Sequence, residues 1–244
     1  MSAGPTLMQR AEFLAAMGAI SLTRLAGPAR ASAIGGACAR GVGPNIARPS
    51  GRARVNLKIA FPSASAGEIE AMLRESWDNL GRVVAEFAFL DEIAQSRLTL
   101  SGEEHWREVQ RSGRPAIFVS GHFANWELLP AALRLLGADF AAVYRPINNP
   151  LIDGHIRAAR ERSTRRLIAK GQRGGREILA ALADGASMLM LVDQKLTSGG
   201  VEAPLFGRQA MTAPAAARLA LKFGAPLVPI FMERLPEASF CARL

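Results

Sequence analysis

The residues best suited to chemistry fall in IFVSGHFANWELLPAAL, residues 117–133. An apolar run, Ile117-Phe118-Val119, gives way to Ser120-Gly121, then His122, with Glu127 five residues on. The chain holds only three histidines, so one standing just past a buried-type strand is a candidate base. An adjacent carboxylate fixes the tautomer of an imidazole and raises its basicity, enough for it to take a proton from a hydroxyl. On one ideal helix, five residues turn about 140° and rise about 7.5 Å, so the two side chains would diverge. They converge only when His122 sits in the turn and Glu127 in the first turns of the following helix. The same residues also suit a structural arrangement, in which His122 caps the turn and Glu127 complements a helix N-terminus. His105, in EEHWRE, and His155, in IDGHIRAAR, read as exposed helix residues.

Other familiar sites are absent. There is no GxSxG, HExxH, GxxxxGK[ST] or GxGxxG. Cys38 and Cys241 lie far apart without a CxxC pattern, so neither a metal site nor a disulfide framework is expected, and a reducing compartment fits. Nothing calls for a cofactor. The remaining polar candidates, Tyr144-Arg145 and Asp193-Gln194, follow apolar runs, and ligands of open α/β sheets bind at the C-terminal ends of strands.

Elements that would position these residues can be read from periodicity. From about residue 114, strand-type runs (AIFVS, DFAAVYR, RRLIAK, SMLMLVD, PLVPIFME) alternate with helix-type segments, several closed by glycine. This order predicts an α/β fold with a mostly parallel central sheet covered by helices. One or two amphipathic helices are expected through about 67–94, short helices and loops through the Gly/Pro-rich stretch 27–55, and a long loop over 194–212.

The 244 residues, 49% of them apolar, are enough for a sizeable core. Charge is uneven. Residues 1–60 carry eight bases against one acid, residues 157–176 another eight against one, and the remainder is acidic. Such zones suit an anionic partner. Nucleic acid fits poorly, because the aromatics are not interleaved with the bases and no recognition signature is present. The apolar stretch AEFLAAMGAISLTRLAG is bracketed by Glu12 and Arg24 and is too short to span a bilayer. A signal-peptidase site at ARASA is the lesser alternative to an amphipathic segment lying in the membrane interface.

Several blocks in order, GHFANWE, VYRPINNPLID, LVDQ, APLFGRQAMTAPAAARLAL and PLVPIFMER, resemble the lipid A biosynthesis acyltransferase family, the late lauroyl/myristoyl-type enzymes of Gram-negative bacteria. NLKIAFPSAS and GRVVAEFAFL are similar to its N-terminal region. The resemblance covers nearly the whole chain. It implies a glycerolipid-acyltransferase-like fold, with residues 1–60 as a basic, apolar membrane-associating segment and 61–244 as the acyltransferase domain. It implies acyl transfer from acyl carrier protein to a lipid A precursor hydroxyl, without a covalent enzyme intermediate, and His122 and Glu127 as the catalytic pair. Substrate-binding roles then fall to Arg145, Asp193, Gln194, Asn125, Arg157 and Arg160, with Trp126 shaping the motif and Phe206, Gly207 and Thr212 lining an acyl groove or serving structure. The expected partners are acyl carrier protein, the lipid acceptor and an anionic membrane surface. The expected location is the cell inner membrane, peripheral or N-terminally anchored, with the site on the cytoplasmic face.

Two features depart from the family pattern. The N-terminal apolar segment is shorter and more interrupted, and the resemblance leads to further strand-helix material after ERLPEASFCARL. The acyltransferase domain is therefore expected to be C-terminally truncated or a divergent short form. Acylation of a lysophospholipid or another glycolipid is the nearest alternative. A non-catalytic module of the same fold, binding anionic lipid or carrier protein, is the alternative of another class.

Overall fold

The apolar runs that alternate with helices after residue 114 become the strands of one parallel sheet. The computed structural model describes residues 4–164, 166–194, 196 and 199–244. The strands are β2 (Ile117–Ser120), β3 (Phe140–Tyr144), β4 (Arg166–Ala169), β5 (Ser187–Leu191) and β8 (Leu227–Pro229), in the spatial order β4-β3-β5-β2-β8. Successive side chains of a strand point to opposite faces. Ile117, Ala141 and Met188 accordingly enter one core, with Leu182 of α9 (Gln172–Ala183) and Ala216 of α10 (Ala215–Phe223). Phe118, Phe140 and Leu189 enter the other, with Leu129 and Leu133 of α7 (Leu129–Leu135), Trp106 of α6 (Glu103–Arg111) and Ile93 of α5 (Leu90–Ser96). A sheet covered on both faces needs apolar residues at nearly every strand position, and so its strands read as continuous runs. The α/β class, with a mostly parallel sheet covered by helices, is the one expected.

Two expectations about strands need correction. The run PLVPIFME is not one strand. It leaves the parallel sheet after Pro229, and its remainder forms β9 (Phe231–Leu235) in a second sheet of order β1-β10-β9, with β1 (Leu98–Ser101) and β10 (Ser239–Arg243). Between the two strands, Ile230 still donates its N–H to the Val119 carbonyl at 3.0 Å. The stretch 194–212 is also more than a loop, since it holds an antiparallel hairpin of β6 (Val201–Leu205) and β7 (Arg208–Thr212).

The N-terminal third is helical. α1 (Leu7–Arg24) opens with a capping box between Thr6 and Gln9, and α2 (Gly27–Val42) and α3 (Ala47–Ala60) follow. No helix among the described residues is long and apolar enough to cross a membrane. The glycines of 27–42, read as helix punctuation, instead lie inside one continuous helix. Their use is packing: α2 crosses α4 (Ala66–Glu86) with Gly35 against Gly81. A Cβ on Gly81 would stand 2.1 Å from the Gly35 carbonyl oxygen, and one on Gly35 would stand 2.6 Å from that of Gly81. Gly81→Ala should therefore destabilise the fold by about 1–3 kcal/mol through overpacking, despite alanine's better helix propensity. The denaturant midpoint measures this, and an unchanged or raised midpoint would refute the close-packing account.

Candidate active site

Strands β2 and β5 are central neighbours in parallel register, with Ser120 opposite Leu191. The chain after β2 turns toward α7 on one face, and the chain after β5 leads through the hairpin to α10 on the other. Divergent connections of this kind leave a crevice at the carboxyl edge of an α/β sheet. His122 and Asp193 stand there, each two residues past the end of its strand.

The two residues meet twice. His122 Nδ1 lies 2.8 Å from Asp193 Oδ1, and the His122 backbone N–H donates to Asp193 Oδ2, also at 2.8 Å. A carboxylate facing Nδ1 requires the proton to sit on that nitrogen, which leaves Nε2 with a lone pair. The Gln194 amide nitrogen stands 3.4 Å from Nε2, at the long end of hydrogen bonding. Gly121 makes this approach possible: a Cβ there would lie 3.1 Å from Asp193 Oδ2 and 2.8 Å from the Phe123 ring. His122 is partly open to solvent, its side chain 30% exposed.

The direct contact expected between His122 and Glu127 is not made. Glu127 is the middle residue of a short 3-10 turn, Trp126–Leu128, and its carboxylate is turned to Arg160 and Trp126. It accepts from Arg160 Nη2 at 2.6 Å and Nε at 2.9 Å, and from Trp126 Nε1 at 3.1 Å. The Glu127 side chain is only 10% exposed, so desolvation alone would penalise its charge, and the two-pronged Arg160 bond compensates. Burial likewise works against the Arg160 charge, but the Glu127 hydrogen bond and negative charge outweigh it and hold that guanidinium above its ordinary pKa. The link to His122 runs through Trp126, whose ring meets the imidazole edge to face with centroids 4.8 Å apart. Glu127 thus fixes the indole that backs the histidine.

Asn125, expected at the substrate, is fully buried. Its amide nitrogen donates to Glu86 Oε2 at 2.8 Å and its oxygen accepts the Glu127 N–H at 3.2 Å, so it anchors the loop. Around it lies a polar cluster that sequence reasoning missed. Glu86 is wholly buried, accepts from Ser32 Oγ at 2.6 Å, and is ion-paired with Arg234 of β9. Arg234 also donates to Asn79 Oδ1 at 3.2 Å, and Asn79 Nδ2 donates to the Ala124 carbonyl at 3.1 Å. Ala124 has φ of 42°, a left-handed conformation costly for a residue with a Cβ. Its carbonyl bond to Asn79 helps hold that conformation. Ser32, Glu86 and Asn125 are buried and Asn79 is half-buried, and their separation in the chain hid the cluster.

The remaining candidates are spread along the same side. Arg145 is exposed just past β3, two strands from β2, or roughly 10 Å at normal strand spacing. Arg157 is exposed and pairs with Glu161 at 2.6 Å on α8 (Pro150–Glu161). Arg162 pairs with Asp91 at 2.9 Å, and Arg165 lies outside the described residues. The basic stretch 157–176 is thus partly engaged internally, with Arg160 turned in to Glu127. At the start of α8, Asn149 caps the helix by accepting the Leu151 N–H at 3.1 Å. Its own amide is held by α1, through the Gln9 carbonyl at 2.9 Å and Glu12 Oε2 at 2.8 Å. A cavity of about 180 Å³ opens beside Glu127 and Arg160, with Ile20, Arg24, Phe87 and Leu90 among its walls. His122 does not line it. His122 opens instead at the carboxyl edge of the sheet. Among the described residues no cluster of His, Cys, Asp and Glu is arranged to hold a metal ion.

Comparison with known proteins places this arrangement in a family. Residues 6–241 match the model of the bacterial lipid A biosynthesis acyltransferases. Three similar proteins come from Escherichia coli (strain K12). The chain is 31% identical to the lipid A biosynthesis palmitoleoyltransferase over 70% of its own length and 56% of that protein's. It is 31% identical to the lauroyltransferase over 75% and 60% respectively, and 30% identical to the myristoyltransferase over 74% and 57%. The chain therefore spans a little over half the length of these curated relatives. With the family model matched from the first helix to the last strand, the chain belongs to the bacterial lipid A biosynthesis acyltransferase family.

Proposed function

We propose that the chain moves a fatty acyl group from an acyl-carrier-protein thioester to a hydroxyl of a lipid A precursor. The reaction would take place on the cytoplasmic face of the inner membrane of a Gram-negative cell. The observation that carries this reading is the His122–Asp193 contact, which leaves the Nε2 lone pair open at a sheet edge. Nε2 takes the proton from the acceptor hydroxyl as its oxygen attacks the thioester carbonyl. Asp193 stabilises the resulting imidazolium. The tetrahedral intermediate collapses, the C–S bond breaks, and the imidazolium returns its proton to the departing thiolate. The products are an ester and a free carrier thiol, and no enzyme acyl group forms. Glu127 acts at one remove, holding Trp126 against the imidazole while Arg160 holds Glu127. Arg145 would meet acceptor phosphate or the developing oxyanion.

Membrane association is supported by exposed Leu7, Met8, Leu14, Leu22 and Leu25 beside the exposed cations Arg10, Arg24 and Arg30. Apolar side chains mixed with cations suit a helix lying in an anionic interface. The test is mass spectrometry of lipid A from cells with and without the protein. The expected result is a gain of one acyl group. No gain on lipid A, or a gain on a phospholipid instead, would overturn the proposal.

A further inference from the structure

The β6–β7 hairpin has little cover. Nearly all its residues are exposed on both faces, and the tip residues Leu205 and Phe206 are 56% and 63% exposed. The turn residues Phe206 and Gly207 have φ of 49° and 72°. Two positive φ values in a two-residue hairpin turn normally select Asn-Gly or Asp-Gly. Here a bulky apolar ring takes the first position, strained in backbone and open to water, with no polar group to bond locally.

Both feet of the hairpin stand on the catalytic edge. It follows Asp193-Gln194 and leads into the N-terminus of α10, and the Leu196 N–H meets the Met211 carbonyl at its base, at 3.4 Å. The same edge exposes Phe123, next to His122, and Phe231, just past β8. Their rings meet edge to face with centroids 6.2 Å apart, and each residue is about half exposed. The connections at this edge also carry exposed Arg145, Lys170 and Arg208. The acids there are few: Asp193 is engaged by His122, Asp153 accepts the Ile147 N–H at 2.7 Å, and Glu202 is in β6.

We infer that this edge is a second membrane-docking element, separate from the N-terminal helices. Phe206 and Leu205 enter the interfacial region of an anionic bilayer, Phe123 and Phe231 line the lip beside His122, and Arg145, Lys170 and Arg208 meet the lipid phosphates. Apolar and aromatic side chains at headgroup depth, ringed by cations, are the composition that an anionic bilayer surface binds. The choice of a bilayer over an acidic protein rests on the lipid-acceptor reading above, because an acceptor held in a membrane requires the edge bearing His122 to face it.

The probe is an environment-sensitive nitrobenzoxadiazole group on Phe206→Cys, with the exposed Cys38 replaced by serine and the buried Cys241 retained. The control carries the label on Ser112→Cys, in the turn before β2 at the opposite sheet edge. Vesicles of phosphatidylethanolamine with phosphatidylglycerol and no lipid A should brighten and blue-shift the Phe206 probe and leave the Ser112 probe unchanged. Leu205→Ser with Phe206→Ser should weaken vesicle binding roughly tenfold or more through lost apolar burial. A Phe206 probe silent toward vesicles while the protein sediments with them overturns the inference. So does a probe already shielded without lipid, or one that responds only to acyl carrier protein. Because the vesicles contain no acceptor, this result is read independently of acyl transfer, and either reading can fail alone.

Discussion

Replacing His122 by alanine is expected to lower turnover in acyl transfer by about 10³-fold, within the range that positioned general bases contribute. The Michaelis constant for the acyl donor should change little, because the imidazole acts on a proton that moves only in the transition state. Asp193→Asn is the more discriminating companion. Its side chain has nearly the same shape and can still accept the His122 backbone N–H. Its amide nitrogen, however, would donate to Nδ1 and drive the histidine proton onto Nε2, the position that must be empty. A loss on the order of 10³ to 10⁴ in turnover should follow, with the fold unchanged by circular dichroism. Glu127→Gln should be milder, since the glutamine oxygen keeps an acceptor for Arg160 and Trp126. If Glu127→Gln proved as damaging as His122→Ala while Asp193→Asn kept most activity, the assignment of the imidazole's partner would be wrong.

The second large effect is on stability. Arg234→Ala would leave the Glu86 carboxylate wholly buried without its counter-ion, which costs about 3–5 kcal/mol. For a chain of this size the melting temperature should fall by about 10 °C or more. Replacing both partners together, Glu86→Met with Arg234→Met, should recover most of that loss, because no isolated charge then remains. Activity should not recover with it. Asn125 would have lost its acceptor and Asn79 its donor, so the loop bearing His122 would no longer be held. A double variant both stable and fully active would show that the cluster has no part in positioning the loop. One as unstable as Arg234→Ala would refute the buried-charge account.

The alternation of strands and helices after residue 114 was legible because both signals were local. Continuous apolar runs marked strands buried on two faces, and glycine followed several helices, as Gly224 in a left-handed conformation follows α10. The helix through Gly35 and Gly36 was not legible, because a glycine that lets two backbones approach looks the same in sequence as one that ends a helix. The hairpin at 201–212 was hidden for a related reason. With both faces exposed it lacks the alternation that marks a half-buried strand. The partner of His122 was legible as a residue but not as a partner. Asp193 stood out at a strand end, but 71 positions separate it from His122, and only the strand order β3-β5-β2 makes them neighbours. Glu127 stands nearer in the chain, but Arg160, 33 residues on, takes its carboxylate.

The clasp between α1 and Asn149 bears on how the protein is handled. Apolar N-terminal helices are commonly trimmed to raise yield. Here the Gln9 carbonyl and the Glu12 carboxylate hold the amide of the residue that caps α8, and α8 carries Arg160. A preparation lacking the first 25 residues would leave that amide to water and take Ile20 and Arg24 from the wall of the cavity beside Glu127. Kinetics from such a sample would describe an enzyme with a loosened frame, and α1 belongs in any sample meant to report on the native site.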